Sequence, residues 1–413
     1  MEYLLNNSDV YASLKIKDFR WFVFARFTLT FAIQMQSVIV GWQVYQITHD
    51  ALSLGLIGLS EALPFLIISL FAGHVADNYK RKIIIILSNI AYFFCGISLL
   101  FVSTSFKYIL LTHGAAPIYL IIVIAGLTRG FMSPAQGAFA AQLVPPELFG
   151  NASTWNSLAW QSAEVLGPAA GGIIYGFFGP GTAYTVVSAM SFIGIIFFNV
   201  IKNKGFPEKK AYESIRQSLS KGLKFVFRNE IILSALTLDM FAVFFGGAVS
   251  VLPIFADRVL HIGAKGLGIL RAAPAVGEII MSVIQVNYPM FKNAGRNLLI
   301  CVFGFGVSII LFAISKNFIL SLALLFIGGL FDNVSVVIRA TIIQLFTPNE
   351  MRGRVSAVNG IFIGSSNELG SFESGLAAKF MGLIPSVIFG GSMTLIVVAV
   401  IKRFAPKLKN LKM

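Results

Sequence analysis

Charge is what this sequence has least of. Of its 413 residues only 12% are Asp, Glu, Lys or Arg, about half the fraction carried by a soluble globular chain. Against 56% hydrophobic residues, so few charges cannot cover a water-facing surface, and most of the chain must face lipid. Cysteine is nearly absent: Cys95 and Cys301 sit far apart in apolar runs, which excludes a disulfide framework and a thiolate metal site. The 4 histidines are scattered, without the spacing of a ligand cluster. Acids are scarce too, 18 against 32 bases, for a formal net charge of +14. In a membrane chain such an excess marks loops held on the cytoplasmic side rather than nucleic-acid binding. The first twenty residues, ending in Lys15, Lys17 and Arg20, lack a cleavable signal pattern, so the first apolar run is expected to stay as a span. At roughly 34 residues per span and loop the length holds about twelve membrane helices and leaves no room for a nucleotide-binding domain, which disfavours an ATP-driven pump.

What is present is a series of apolar runs, at 22–47, 53–72, 83–105, 117–144, 152–177, 181–201, 230–256, 266–288, 297–315, 318–345, 354–378 and 383–401, numbered here as spans 1 to 12. Span 11 is the weak one, because Asn359, Ser365, Ser366, Asn367, Glu368 and Glu373 interrupt it. Charge asymmetry restores it. With twelve spans and both termini cytoplasmic, 23 of the 32 Lys and Arg fall on the cytoplasmic side and five, Lys107, Arg258, Lys265, Lys316 and Lys379, on the other. Internal similarity gives the same count: Gly58 to Pro64 matches Gly268 to Pro274, and Ser153, Asn156, Ser162, Gly167 and Gly172 match Ser356, Asn359, Ser365, Gly370 and Gly375. The expected fold is all-α and integral to the membrane, with twelve transmembrane helices in two pseudo-symmetric six-helix bundles, 1–201 and 230–413. A basic linker, 202–229, is expected to lie along the cytoplasmic surface.

Ionisable side chains within a span cost several kcal/mol unless they face protein or water, so their positions are informative. Arg26, Glu61, Arg129, Glu164, Asp239, Arg271, Glu278, Asp332, Arg339, Glu368 and Glu373 occupy spans 1, 2, 4, 5, 7, 8, 10 and 11, leaving every third span clean. Eight helices around a polar pathway, with four outside against lipid, account for this. Helical spacing puts Thr30, Gln34, Ser37, Gly41 and Tyr45 on one face of span 1, and Asp239, Ala242, Gly246 and Ser250 on one face of span 7. Arg271, Glu278 and Gln285 align on span 8. Glu61 and Arg271, at matched positions in the two halves, are expected to form an interhelical pair. Small and polar stripes also serve plain helix packing, and that reading stands beside the functional one.

Three motifs carry a family likeness. Between spans 2 and 3, Gly73-His74-Val75-Ala76-Asp77-Asn78-Tyr79-Lys80-Arg81-Lys82 resembles the signature loop of the major facilitator superfamily. Arg129, in Thr128-Arg129-Gly130, resembles that superfamily's span-4 arginine. Gly167-Pro168-Ala169-Ala170-Gly171-Gly172, preceded by Glu164, matches its Gly-Pro-x-x-Gly-Gly exporter signature; proline bends the helix and glycines permit close packing. Ser53 to Pro64, Val144-Pro145-Pro146-Glu147, Met351-Arg352-Gly353-Arg354 and Ser366 to Gly370 are similar to the subgroup of enterobactin exporters and macrolide-type drug efflux proteins, over nearly the whole chain. Glu164 departs from it, standing where many relatives carry a base.

The resemblance implies a secondary active exporter in a bacterial inner membrane, exchanging an amphiphilic small molecule, a siderophore or hydrophobic drug, for protons by alternating access. Gln34, Tyr45, Arg129, Asp239, Glu278, Asp332 and Arg339 are expected to line its cavity. Glu61, Asp239 and Glu278 are the candidate proton carriers, with Arg271 and Glu164 beside them. Gly73, Asp77, Arg81, Gly167, Pro168, Gly171 and Gly172 are the expected gating positions. Protons and the lipid bilayer are the expected partners, with no cofactor, metal or nucleic acid, in a chain that works as a monomer. An importer, or a metal or lipid transporter, would use the same fold. No nucleophile, base and orienting acid recur together, so an enzyme is not expected.

Overall fold

Without water to satisfy the backbone, an apolar run of membrane length closes its hydrogen bonds as a helix. The computed structural model describes residues 10–202, 215–288, 290, 292–348 and 351–412, and among them there is helix and turn but no strand. The first four spans are the helices Lys17–Thr48, Ala51–Asn78, Arg81–Ser103 and Ala116–Leu143. Spans 5 and 6 run together as Phe149–Val200, broken at Gly179, whose φ of 76° is a conformation glycine adopts without strain. Pro180 then starts the sixth span, where its missing N–H costs nothing. Spans 8, 9, 10 and 12 are Gly263–Asn287, Ala294–Ile314, Phe318–Phe346 and Leu383–Phe404.

Side chains fix several starts. Asp50 accepts from the Ser53 amide at 3.0 Å to begin span 2. Asn229 accepts from Ile231 and Ile232 to begin span 7, and Asn317 from Leu320 to begin span 10. Ten described segments are long and apolar enough to cross a membrane. One of them, Pro146–Val200, holds the two spans parted at Gly179. The Arg352–Met381 helix is not among the ten, yet it is 30 residues long and packs beside spans 2 and 7. It is span 11, polar because its neighbours rather than lipid receive its side chains.

Two local features depart from the sequence reading. Span 7 is helical only over Glu230–Gly246; the chain then turns through Ala248–Val251 and continues as a short wide helical turn, Phe255–Val259. The Asp239, Ala242, Gly246, Ser250 stripe is therefore cut before Ser250. Its upper part also faces inward within its own group of helices: a Cβ on Gly246 would lie 2.6 Å from the Phe305 ring. A short helix, Lys107–His113, was not expected between spans 3 and 4.

Glycines set how closely the spans approach. A Cβ on Gly167 would stand 2.8 Å from that of Gln34, and one on Gly171 would stand 2.9 Å from the Met35 carbonyl, so span 1 lies against the backbone of span 5. The other side of the same motif meets span 8. A Cβ on Gly268 would come 2.7 Å from the Pro168 carbonyl oxygen and 2.9 Å from Cα of Gly172. Spans 2 and 11 repeat the arrangement, where a Cβ on Gly375 would lie 2.7 Å from Cα of Gly55. These two glycine contacts join the first six spans to the last six, both at the face opposite the one where residues 17 and 404 lie. Gly268→Val should open the span 5–span 8 contact and cost about 1–3 kcal/mol through overpacking. Thermal unfolding in detergent checks this, and an unchanged midpoint would contradict the backbone approach.

Candidate functional site

The close packing of span 2 on span 4 brings together the first pair of intramembrane charges. Gly126 sits against the Glu61 backbone, and Arg129, three residues further on the same face, reaches the Glu61 carboxylate to form an ion pair. The Arg129 guanidinium also lies 6.0 Å from the centroid of the Phe65 ring. The expected Glu61–Arg271 pair is therefore not what forms. Glu61 is satisfied inside its own half, by the arginine that helix 2–helix 4 packing delivers, and Arg271 makes its interactions elsewhere.

The second pair repeats the theme with a different donor. Arg339, 210 residues after Arg129 and on span 10, pairs with Asp239 of span 7. Both side chains are buried, 6% and 9% exposed, so the charges compensate each other out of water. Beside Asp239 is a cavity of about 10 Å³, room for about one water, lined by Val302, Phe305, Phe331, Asp332 and Ser335. The Ser335 hydroxyl is buried and without a hydrogen-bond partner. Asp239, Arg339 and Asp332 thus meet between spans 7, 9 and 10, inside the second half.

A third group lies where the halves meet. Glu164 of span 5 is within electrostatic reach of Arg271 on span 8 and Asp332 on span 10, and Glu278 is within reach of both Asp332 and Glu164. One Glu164 oxygen is buried without a hydrogen bond. These charges interact across the boundary between the halves, with Glu164 on one side and Arg271, Glu278 and Asp332 on the other.

The remaining sequence-derived positions divide. Gln34 packs at the span 1–span 5 contact. Tyr45 is 1% exposed and donates to Asp257 Oδ2 at 3.0 Å, while Arg258 donates to the His49 carbonyl at 3.2 Å, so the end of span 1 is latched to the turn after span 7. Asp257 and Arg258 were not singled out from sequence; they read there as an ordinary outer loop. Arg81 donates to the carbonyls of Ala76 and Ala138, at 3.2 and 3.1 Å, tying the turn between spans 2 and 3 to span 4. The side chains of Gly73, Asp77 and Glu368 lie outside the described residues. Also missed was a buried amide chain, in which Gln285 donates to Asn333 at 2.8 Å and Asn333 to Ser282 at 2.9 Å. Polar amides seven residues apart from charged ones, in otherwise apolar runs, were its only signal.

Removing one member of the Asp239–Arg339 pair strands the other in an apolar interior. Asp239→Ala should cost about 3–5 kcal/mol, whereas Asp239→Leu with Arg339→Met should recover most of that loss. Unfolding midpoints of both variants decide it, and equal destabilisation by the two would contradict the pairing.

Comparison with known proteins agrees with this architecture. Residues 8–412 match the family model described as transmembrane secretion effector. The chain is 26% identical over 399 residues to the enterobactin exporter EntS of Shigella flexneri, covering 94% of this chain and 93% of that one. It is 27% identical over 403 residues to EntS of Shigella boydii, with the same coverage. Among solved structures, a POT family transporter in complex with 5-aminolevulinic acid superposes with a TM-score of 0.77 at 11% identity, over 94% of this chain and 96% of that one. A bacterial homolog of the human lysosomal transporter Spinster gives 0.69 at 15% identity, over 95% and 97%. Ten apolar segments of membrane length among the described residues, an intramembrane ion pair in each half and a family match along almost the entire sequence lead to one assignment: the chain is a multi-pass membrane transporter that belongs to the transmembrane secretion effector family of the major facilitator superfamily.

Proposed function

We propose that the protein is a secondary active exporter of an amphiphilic small molecule, driven by proton entry and working by alternating access. It sits in a bacterial inner membrane with both termini cytoplasmic, works as a monomer, and catalyses no covalent chemistry. The observation that carries this reading is the electrostatic interaction of Glu164 in one half with Arg271 and Asp332 in the other, and of Glu278 with Glu164 and Asp332. A carboxylate whose neighbours change as the halves rock can take up a proton on one side and release it on the other. Glu61 and Asp239 are committed to Arg129 and Arg339 and serve as proton carriers only when those pairs open. The halves are residues 1–201 and 230–413, with 202–229 as the tether between them.

The relatives named as enterobactin exporters support a siderophore as cargo. A second reading, a cationic hydrophobic drug, has its own support. With Arg129 and Arg339 neutralised by their partners, this interacting group retains three carboxylates against one arginine. That balance suits a positive or neutral amphiphile better than an anion.

Everted vesicles holding a proton gradient and a pH-sensitive dye separate these readings. Addition of the cargo should dissipate the gradient, and Glu278→Gln should abolish the response while the protein remains at its normal level in the membrane. Response to a catecholate supports the first cargo, and response to a hydrophobic cation the second. A Glu278→Gln variant that transports like the wild type would remove the seam acids from the coupling mechanism.

A further inference from the structure

A cavity lies away from the charged seam, at the face where residues 17 and 404 end their spans. Its volume is about 590 Å³. Its upper wall is the helix Ile215–Arg228, which contributes Lys221, Lys224 and Arg228 to the rim. Spacings of three, four and seven residues place these three bases on one side of the helix. Underneath are apolar groups from the ends of spans 7, 10 and 11: Ile231, Phe346 and Met351.

The helix is held in place by its other side. Val226 is fully buried, and a Cβ on Gly222 would come 2.9 Å from the Arg354 carbonyl oxygen, so the helix backbone rests directly on span 11. Its last turn leaves Phe227 61% exposed, an aromatic ring at membrane-surface depth. Among the described residues that line the cavity there is one carboxylate, Glu230. That charge is already answered: Lys407 Nζ lies 3.0 Å from Glu230 Oε2, and the Lys407 amide donates to Oε1 at 3.3 Å. The site therefore presents Lys224 and Arg228 above an apolar floor, with Lys221 on the same rim and Glu230 engaged by Lys407.

We infer that this cavity binds the headgroup of an anionic phospholipid from the leaflet in which the termini lie. A phosphodiester needs several cationic donors at the level of the headgroups, and its glycerol and first acyl carbons need an apolar surface immediately below. A soluble phosphate would need the first and gain nothing from the second. The volume exceeds that of a lone phosphate and leaves room for a glycerol. The bases stand on a helix seated along the ends of the spans, the depth at which lipid headgroups lie. Occupied, the site would fasten the Ile215–Arg228 helix to spans 7, 10 and 11 through the membrane itself.

The test uses the full chain, purified in detergent and delipidated, then offered phosphatidylglycerol, cardiolipin or phosphatidylcholine and followed by native mass spectrometry and thermal unfolding. Phosphatidylglycerol and cardiolipin should be retained and raise the unfolding midpoint, and phosphatidylcholine should do neither. Lys224→Gln with Arg228→Gln should reduce retention of the anionic lipids by about tenfold, from the loss of two surface charges. Lys402→Gln with Arg403→Gln, outside the cavity, should leave it unchanged. Lys224 and Arg228 are exposed, so the double variant should fold; if it does not, each single substitution is read for the same loss. Equal retention of phosphatidylcholine overturns the proposal, as does retention that follows the Lys402 and Arg403 variant instead. Inorganic phosphate that stabilises as well as phosphatidylglycerol would make the cavity a soluble-anion site and overturn it too.

Discussion

A guanidinium or carboxylate alone in hydrocarbon is too costly to persist, and the interior of this transporter is organised around that constraint. Arg129 of span 4 and Arg339 of span 10 are each held by an acid from a neighbouring helix of the same half. The acids are not matched: Glu61 comes from span 2 and Asp239 from span 7. The position that corresponds to Glu61 in the second half carries Arg271, so the first half's ion pair is not repeated there. The second half resolves this by drawing its acid from span 7 and turning Arg271 toward the seam, where Glu164 lies within its reach. Each half thus holds one closed ion pair, while Glu164 and Arg271 interact across the boundary between the halves.

Packing follows from the same restriction. Backbones approach wherever glycine removes the side chain, and in a membrane such approaches replace the hydrophobic effect as the source of helix association. The Gly-Pro motif of span 5 serves two partners at once, with Gly167 and Gly171 toward span 1 and Gly172 toward span 8. This explains why so many glycines are needed in a short stretch, and why the matching site in span 11 keeps Gly375, which meets Gly55, without needing the proline.

The positions of most spans were legible because length, hydropathy and charge asymmetry are local properties. Span 11 was legible only through symmetry and charge, since its polar residues conceal it from hydropathy. The partners of the charges were less accessible. Repeat matching set Glu61 against Arg271 but could not say that Gly126 would bring span 4, rather than span 8, within its reach. The stripe on span 7 failed for a related reason: a helical period was extended across Gly247, where the helix stops. The Tyr45–Asp257 latch and the Gln285–Asn333–Ser282 chain depend on tertiary neighbours, and nothing in the residue order pairs them.

The glycine contacts between the halves have an energetic corollary. Where Gly172 meets Gly268 and Gly55 meets Gly375, the surfaces in contact are main chain whose hydrogen bonds are already closed within each helix. Parting them uncovers little apolar side-chain area and leaves no donor or acceptor unsatisfied, so the free energy that holds this end together is mostly dispersion between close-packed atoms. Such a joint is stiff in compression and held by many weak contacts rather than by a few strong ones.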